Sequence, residues 1–228
     1  MDVSIFHVLG PVMIGPSSSH TAGAAKLART ARAIAQKPFH HVSFGLHGSF
    51  AKTYKGHGTD KALVAGALDI SEKDERLTDS FELAKKAGLD YDFYETDLGD
   101  VHENSVKFTF AFEDGTIMEV VGSSVGGGEI VIRKINDFAI NLSATLPSII
   151  IKQYDTKGVL SDITRVFAKH DINIATMSVS RTTKGEKALC IIESDSPISD
   201  AVGDQLREVK NVIDVMILNL ISEEDEDV

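Results

Sequence analysis

The sequence predicts an α+β protein made of two unlike parts, and three observations carry that prediction. From Ile149 onward the chain runs strand, helix, strand, strand, helix, strand within about seventy residues. Between Val106 and Ile135 apolar and polar residues alternate, the period of a half-buried sheet. A polar segment, Leu142 to Pro147, ends in proline and forms the natural boundary between the parts. The expected division is 1–142, 148–221 and a short tail, 222–228.

The C-terminal part is the more regular. Ile149 to Tyr154 is rich in β-branched residues, and Gly158 to His170 places Val159, Leu160, Ile163, Val166 and Phe167 on one helical stripe. Ile172 to Thr182 returns to strand character, Thr183-Lys184-Gly185-Glu186 makes a turn, and Lys187 to Ser194 completes a hairpin. Ser196-Pro197 breaks that run; Ser199 or Asp200 can cap a helix carrying Ala201, Val202, Leu206 and Val209. Val212 to Leu220 is the last strand. This order is the ferredoxin-like βαββαβ pattern.

In the N-terminal part the polar loop Gly15-Pro16-Ser17-Ser18-Ser19-His20-Thr21 runs into a helix from Ala22 to Ala35, with the stripe Ala24, Leu27, Ala28, Ala31 and Ile34 or Ala35. A strand-like Val42 to Leu46 leads to His47-Gly48-Ser49 and then Lys55-Gly56-His57-Gly58-Thr59-Asp60. Val106 to Phe112, the turn Glu113-Asp114-Gly115, Thr116 to Val121 and Glu129 to Ile135 read as sheet. Gly126-Gly127-Gly128 marks tight backbone geometry or the approach of a ligand.

Composition narrows the function. With 43% hydrophobic and 25% charged residues the chain can bury a real core. A net charge of −11 argues against capture of nucleic acid or anionic membranes. No apolar run reaches the length of a membrane span, and the N-terminus lacks the basic-then-apolar pattern of a signal peptide, which leaves the cytoplasm. Glu223-Glu224-Asp225-Glu226-Asp227 is expected to be a solvated, disordered end. Cys190 is the sole cysteine, so the chain has no disulfide, no C-x-x-C pair and no ligand set for a cluster. Its apolar setting, Ala188 to Ile192, predicts a buried, inert thiol.

The chemistry-bearing residues gather before residue 61. Hydroxyls and N–H groups at a helix start suit a carboxylate or phosphate, or else form a plain N-cap with spare serines. His20 adds a group that titrates near neutral pH, which a cap does not need. His57 stands between two glycines, a spacing that leaves the ring exposed and lets a substrate come close. His7, His40, His41, His102 and His170 occupy ordinary structural or surface contexts.

Two features of the C-terminal part resemble the ACT domain, a small regulatory module that commonly senses amino acids. One is Asp155-Thr156-Lys157-Gly158-Val159 at the first strand-to-helix turn, and the other is Asn173-Ile174 with Met177. Asp155, Gly158, Val159, Asn173 and Ile174 are thus candidates for binding an effector; the alternative is that Asp155 and Gly158 are turn and cap residues.

The segments Gly15 to Gly23, Gly48-Ser49, Gly56-His57-Gly58-Thr59-Asp60-Lys61 and Gly122-Ser123-Ser124-Val125-Gly126-Gly127-Gly128, followed by the ACT-like module, occur in one order. That combination is similar to the β subunit of the bacterial iron–sulfur L-serine dehydratases. The resemblance implies an N-terminal α+β domain like the allosteric substrate-binding domain of some phosphoglycerate dehydrogenases. It implies a partner α subunit that holds a [4Fe–4S] cluster, with no metal on this chain, and L-serine as substrate. By the same resemblance His57 or His20 is the acid/base candidate, while Ser17, Ser18, Ser19 and Thr21 orient the substrate carboxylate. Thr59 joins them as a substrate-binding candidate, and Asp60 steers or caps. ACT domains often associate side by side, which allows a β–β contact beside the heteromeric one. The competing reading is a stand-alone ACT-type amino-acid sensor.

Overall fold

The apolar stripe at the start of the chain becomes α1 (Gly23–Ala35), whose Ala24, Leu27, Ala28, Ala31 and Ile34 are completely buried. The computed structural model describes residues 14–219. The expectations for His7, for the end of the last strand at Leu220 and for the acidic tail lie outside the described residues. Contacts divide the chain into two units, 1–136 and 137–228.

After α1 come β1 (Phe39–Leu46), α2 (Gly48–Thr53), α3 (Thr59–Ala67), a 3₁₀ turn at Glu75–Asp79, α4 (Ser80–Ala87) and β2 (Asp90–Glu95). Then follow β3 (Ser105–Phe112), β4 (Ile117–Gly126), β5 (Glu129–Ile135) and β6 (Phe138–Leu142). Within the first unit the sheet order is β2-β1-β3-β4-β5. β2 runs parallel to β1, so α2, α3 and α4 make the crossover that parallel strands require. β3, β4 and β5 are successive antiparallel neighbours. In β3 the alternation is plain: Val106, Phe108, Phe110 and Phe112 are buried, and Lys107, Thr109 and Ala111 are only partly covered.

The sequence reading assigned no structure to α2, α3, α4 or β2. α2 is only six residues long, too short to show a helical period. α3 is apolar all round, with Ala62 to Ala67 buried, and so presents no stripe. It lies against α1 at Gly66, where an added Cβ would stand 2.3 Å from the Ala25 carbonyl oxygen and 2.6 Å from Ala28 Cβ. The two helices therefore meet backbone to backbone. β4 runs on past Val121 because Gly122 to Gly126 continue to pair with β5.

The second unit contains β7 (Ser148–Tyr154), α5 (Val159–Lys169), β8 (Ile174–Arg181), β9 (Lys187–Ser194), α6 (Asp200–Arg207) and β10 (Val212–Leu218). These strands form an antiparallel sheet of order β10-β7-β9-β8, the βαββαβ arrangement expected. Both helices cover one face, so that Val159, Ile163, Phe167, Val202 and Leu206 meet Ile149, Ile151, Cys190, Ile192 and Val215. Each large apolar side chain buried there contributes about 1.5–3 kcal/mol. Ser199 occupies the N-cap of α6 through its backbone: its carbonyl accepts from Val202 N at 3.0 Å, and its side chain makes no capping bond.

Candidate active site

The Ser-rich loop enters α1 through one π-helical turn, Ser18–Ala22, a wider turn than the α-helix start read from the sequence. Such turns are frequent at functional sites. Ser17 is extended (φ −145°, ψ 127°) and caps it, its Oγ accepting from His20 N at 3.1 Å. The Ser17 carbonyl accepts from Thr21 N at 3.0 Å and Ala22 N at 3.3 Å. These three N–H groups serve the turn itself, so what it offers a ligand is mainly hydroxyl and imidazole.

The link from β1 to α2 supplies the second side. His47 N donates to the Ser105 carbonyl at 3.0 Å and Ser49 N to the Glu103 carbonyl at 2.9 Å. Gly48 between them has φ 57°, and a Cβ there would lie 2.7 Å from Glu103 O. Left-handed geometry and lack of room both demand glycine. The third side is the loop before α3, in which Gly56 N and His57 N donate to the Thr53 carbonyl at 3.0 and 3.2 Å.

These three segments meet at His20. Its Nδ1 lies 3.2 Å from Ser19 Oγ and its Nε2 3.2 Å from Ser49 Oγ. Phe50, completely buried, packs edge-on at 5.1 Å between ring centroids, and His57 lies at 4.9 Å with the planes inclined by 44°. Thr21 Oγ1 donates to the His57 carbonyl at 3.0 Å, tying the two loops together. Burial, and secondarily the neighbouring His57, hold the His20 pKa below its ordinary value of 6.5.

An open cleft of about 190 Å³ adjoins the cluster, lined by Ile14, Gly15, Pro16, Thr21, Gly56, His57, Gly58, Lys61, Leu77 and Thr78. Pockets for drug-sized ligands run to roughly 300–1,000 Å³, so this one suits a small metabolite. It shares Thr21 and His57 with the cluster and adds the Lys61 ammonium.

The structure thus brings Ser17, Ser19, His20, Thr21 and His57 together, with Ser18 half-buried in the same turn. Thr59 and Asp60 stand at the head of α3. Thr59 is completely buried, and its hydroxyl has no hydrogen-bond partner among the described residues. Asp60 accepts from Lys61 N at 2.8 Å; burial raises its carboxyl above the usual range, against the opposing pull of that N–H and of Lys61 and Lys55. The sequence presents Ser49 only as part of a motif, because its meeting with His20, twenty-nine residues away, is a tertiary contact.

In the second unit the effector-binding candidates have internal duties. Asp155 Oδ2 accepts from Arg181 Nη1 at 2.9 Å and Gly185 N at 3.0 Å, which latches the β7–α5 turn to the β8–β9 hairpin. Those same donors, the Gly185 N–H first, depress its carboxyl. Gly158 is left-handed (φ 90°) at the N-cap of α5, Val159 is core, and Ile174 packs against that core. Asn173 Nδ2 donates to Asp195 Oδ2. Among the other histidines, His41 Nε2 bonds to Asp92 at 2.9 Å and His102 Nδ1 accepts from Asn104 N at 3.1 Å. His40 lies near Glu113, and the His170 Nε2 is buried without a hydrogen-bond partner among the described residues.

Fold and site define an ACT-type protein whose other, α+β unit carries a serine–histidine cluster beside a small cleft. Residues 148–211 match the ACT domain family and residues 4–87 the serine dehydratase beta chain family. The chain is 42% identical over 212 residues to the probable L-serine dehydratase, beta chain, of Bacillus subtilis (strain 168), covering 93% of this chain and 96% of that one. It is 43% identical over 202 residues to the L-serine dehydratase, beta chain, of Peptoniphilus asaccharolyticus, covering 88% and 91%. A D-3-phosphoglycerate dehydrogenase of B. subtilis is 25% identical over 186 residues, 81% of this chain and 35% of that one. The chain belongs to the L-serine dehydratase beta-chain family.

An iron–sulfur cluster needs a set of cysteine thiolates. Cys190 is the chain's one cysteine, lies completely buried in β9, and its thiol is pushed up to about 12 by burial. Among the described residues no group of three or more His, Cys, Asp or Glu is placed to hold a metal ion. The residues of this chain do not fit the cluster. Among the described residues no helix is long and apolar enough to cross a membrane.

Proposed function

We propose that this chain is the β subunit of a two-chain L-serine dehydratase that converts L-serine to pyruvate and ammonia. Loss of a proton from Cα and of hydroxide from Cβ gives 2-aminoacrylate and water. Its imine tautomer then takes up water and releases ammonia and pyruvate. The family supports the reaction, and the observation that carries this chain's part in it is the meeting of His20 and His57 at 4.9 Å beside the serine turn.

A base must be unprotonated to accept the Cα proton. His20, with its pKa held down, is unprotonated at neutral pH, and exposed His57 is placed at the cleft to reach a substrate. Ser18, Ser19 and Lys61 have the chemistry to orient the substrate carboxylate. Ser17 and Thr21 act by shaping the loops, and Thr59 and Asp60 close the site at the head of α3. We assign the [4Fe–4S] cluster to an α chain, the active-site share of this chain to residues 1–142 and a regulatory or associative role to the ACT domain, 148–221, ahead of the tail 222–228. A single cysteine suits a cytoplasmic setting, where pyruvate can feed gluconeogenesis.

The purified chain is expected to show no dehydratase turnover, and anaerobic mixing with the α chain and iron is expected to restore it. Turnover by this chain alone, without iron, overturns the assignment. In the reconstituted enzyme, near wild-type turnover of His57→Ala removes His57 from the chemistry.

A further inference from the structure

Thr21 is buried and works in two directions. Its γ-methyl sits against Gly15, where an added Cβ would stand 2.5 Å from Thr21 Cγ2. Its hydroxyl donates to the His57 carbonyl at 3.0 Å, across thirty-six residues of chain. Thr21 follows His20 directly in the π-helical turn, so the bond joins the carrier of one ring to the carrier of the other. We propose that Thr21 is a positioning residue whose hydroxyl, by holding the His57 carbonyl, sets the spacing and tilt of the His20–His57 pair.

The other hydrogen bonds of the His57 loop stay within its own segment. Gly56 N and His57 N donate to Thr53 O, Thr59 N donates to Tyr54 O at 2.9 Å, and Ala62 N donates to Gly58 O at 3.0 Å. They shape the loop without fixing where it stands against the serine turn. Among the described residues the Thr21 bond is the one hydrogen bond between the two. The meeting of α1 and α3 at Gly66 does not replace it, because Gly66 lies about 10 Å along the helix from Thr59. Thr21 itself is well held. Its N–H is bound to Ser17 O at 3.0 Å, and a β-branched side chain is stiff at χ1. With the methyl seated at Gly15, the hydroxyl is aimed at the carbonyl. Gly15, Thr21 and His57 all line the cleft, so the same bond fixes one wall of the space that a substrate would enter.

The spacing can be read without turnover, and only its consequence for rate rests on the proposed dehydratase role of the pair. His57 is the second cause of the lowered His20 pKa, so the His20 titration midpoint, followed by NMR of the full chain, reports how near His57 stands. Thr21→Val keeps the branched shape and removes the donor; its His20 midpoint is expected to rise toward 6.5. Thr21→Ser keeps the donor and loses the methyl. It should unfold at lower urea while holding the His20 midpoint near that of wild type. An unchanged His20 midpoint in Thr21→Val, whatever its stability, overturns the proposal. Wild type supplies a check that needs no variant to fold: three-bond scalar couplings of the Thr21 side chain should report one χ1 rotamer, and averaging over rotamers overturns the proposal equally. In the reconstituted enzyme Thr21→Val should lower kcat about two- to tenfold, the range of one hydrogen bond, with Thr21→Ser recovering most of the loss. A raised His20 midpoint combined with unchanged kcat in both Thr21→Val and His57→Ala would leave the tie standing and sink the dehydratase role of His57 instead.

Discussion

The imidazole rings of His20 and His57 lie 4.9 Å apart, close enough that charge on His57 disfavours a proton on His20. His20 is held below its ordinary pKa, first by burial and then by that neighbour. His57→Ala removes the second cause and leaves the first. The His20 titration midpoint is therefore expected to rise in that variant while staying below 6.5, followed by NMR across the pH range. A fall, or no movement, contradicts the coupling.

The same group gives stability a direction in pH. Well above 6.5 His20 is neutral in the folded and unfolded chain alike and makes no difference. As pH falls below that value the unfolded chain takes up a proton that the folded chain refuses, so stability drops until pH passes the lowered folded pKa. Urea midpoints measured down through this window are expected to fall less steeply in His20→Gln than in wild type.

Gly48→Ala must either relieve the contact with the Glu103 backbone or move the turn. Strain at a left-handed position costs about 1–3 kcal/mol, and the close contact adds to it. The variant should lose that much stability in urea unfolding. Reconstituted activity should fall as well, because Ser49 moves with the turn.

Ser124 sits on the α1 backbone at Gly23, completely buried, its hydroxyl without a hydrogen-bond partner among the described residues. A buried hydroxyl without a partner costs about 1–3 kcal/mol. Ser124→Ala should therefore leave stability unchanged or raise it by about 1 kcal/mol, read from the denaturation midpoint. Marked destabilisation would show that the hydroxyl has a partner.

Cys190, with its thiol pushed up to about 12 and no exposed surface, is expected to ignore thiol reagents in the native chain. It should react at once in denaturant, as a colorimetric thiol assay would record.

The second unit was almost wholly legible in the sequence. Its helices show clear stripes, its hairpin has a four-residue turn, and β9 falls at Lys187–Ser194 as read. The inertness of Cys190 was equally plain from its apolar surroundings. In the first unit α1 was legible from Leu27, Ala28 and Ala31, while α3 was not, because a helix whose run Ala62 to Ala67 is buried without a break carries no period. Of the site, His20 and His57 stood out by their Ser- and Gly-rich settings. Their convergence did not, since it depends on Ser49 N bonding the Glu103 carbonyl and on Thr21 bonding the His57 carbonyl. Asp155 illustrates the reverse: its motif drew attention as a ligand candidate, and the structure gives its carboxylate to Arg181 and Gly185.

The meeting of α1 and α3 at Gly66 reaches beyond packing. His20 is borne on the turn that leads into α1 and His57 on the loop that leads into α3. With the two helices in backbone contact, no sliding layer of side chains lies between their carriers. The two rings are therefore expected to move together rather than open and close like jaws. A controlling signal would then alter how the pair as a whole is presented to substrate or partner, and would register in affinities while the spacing of the two rings stayed constant.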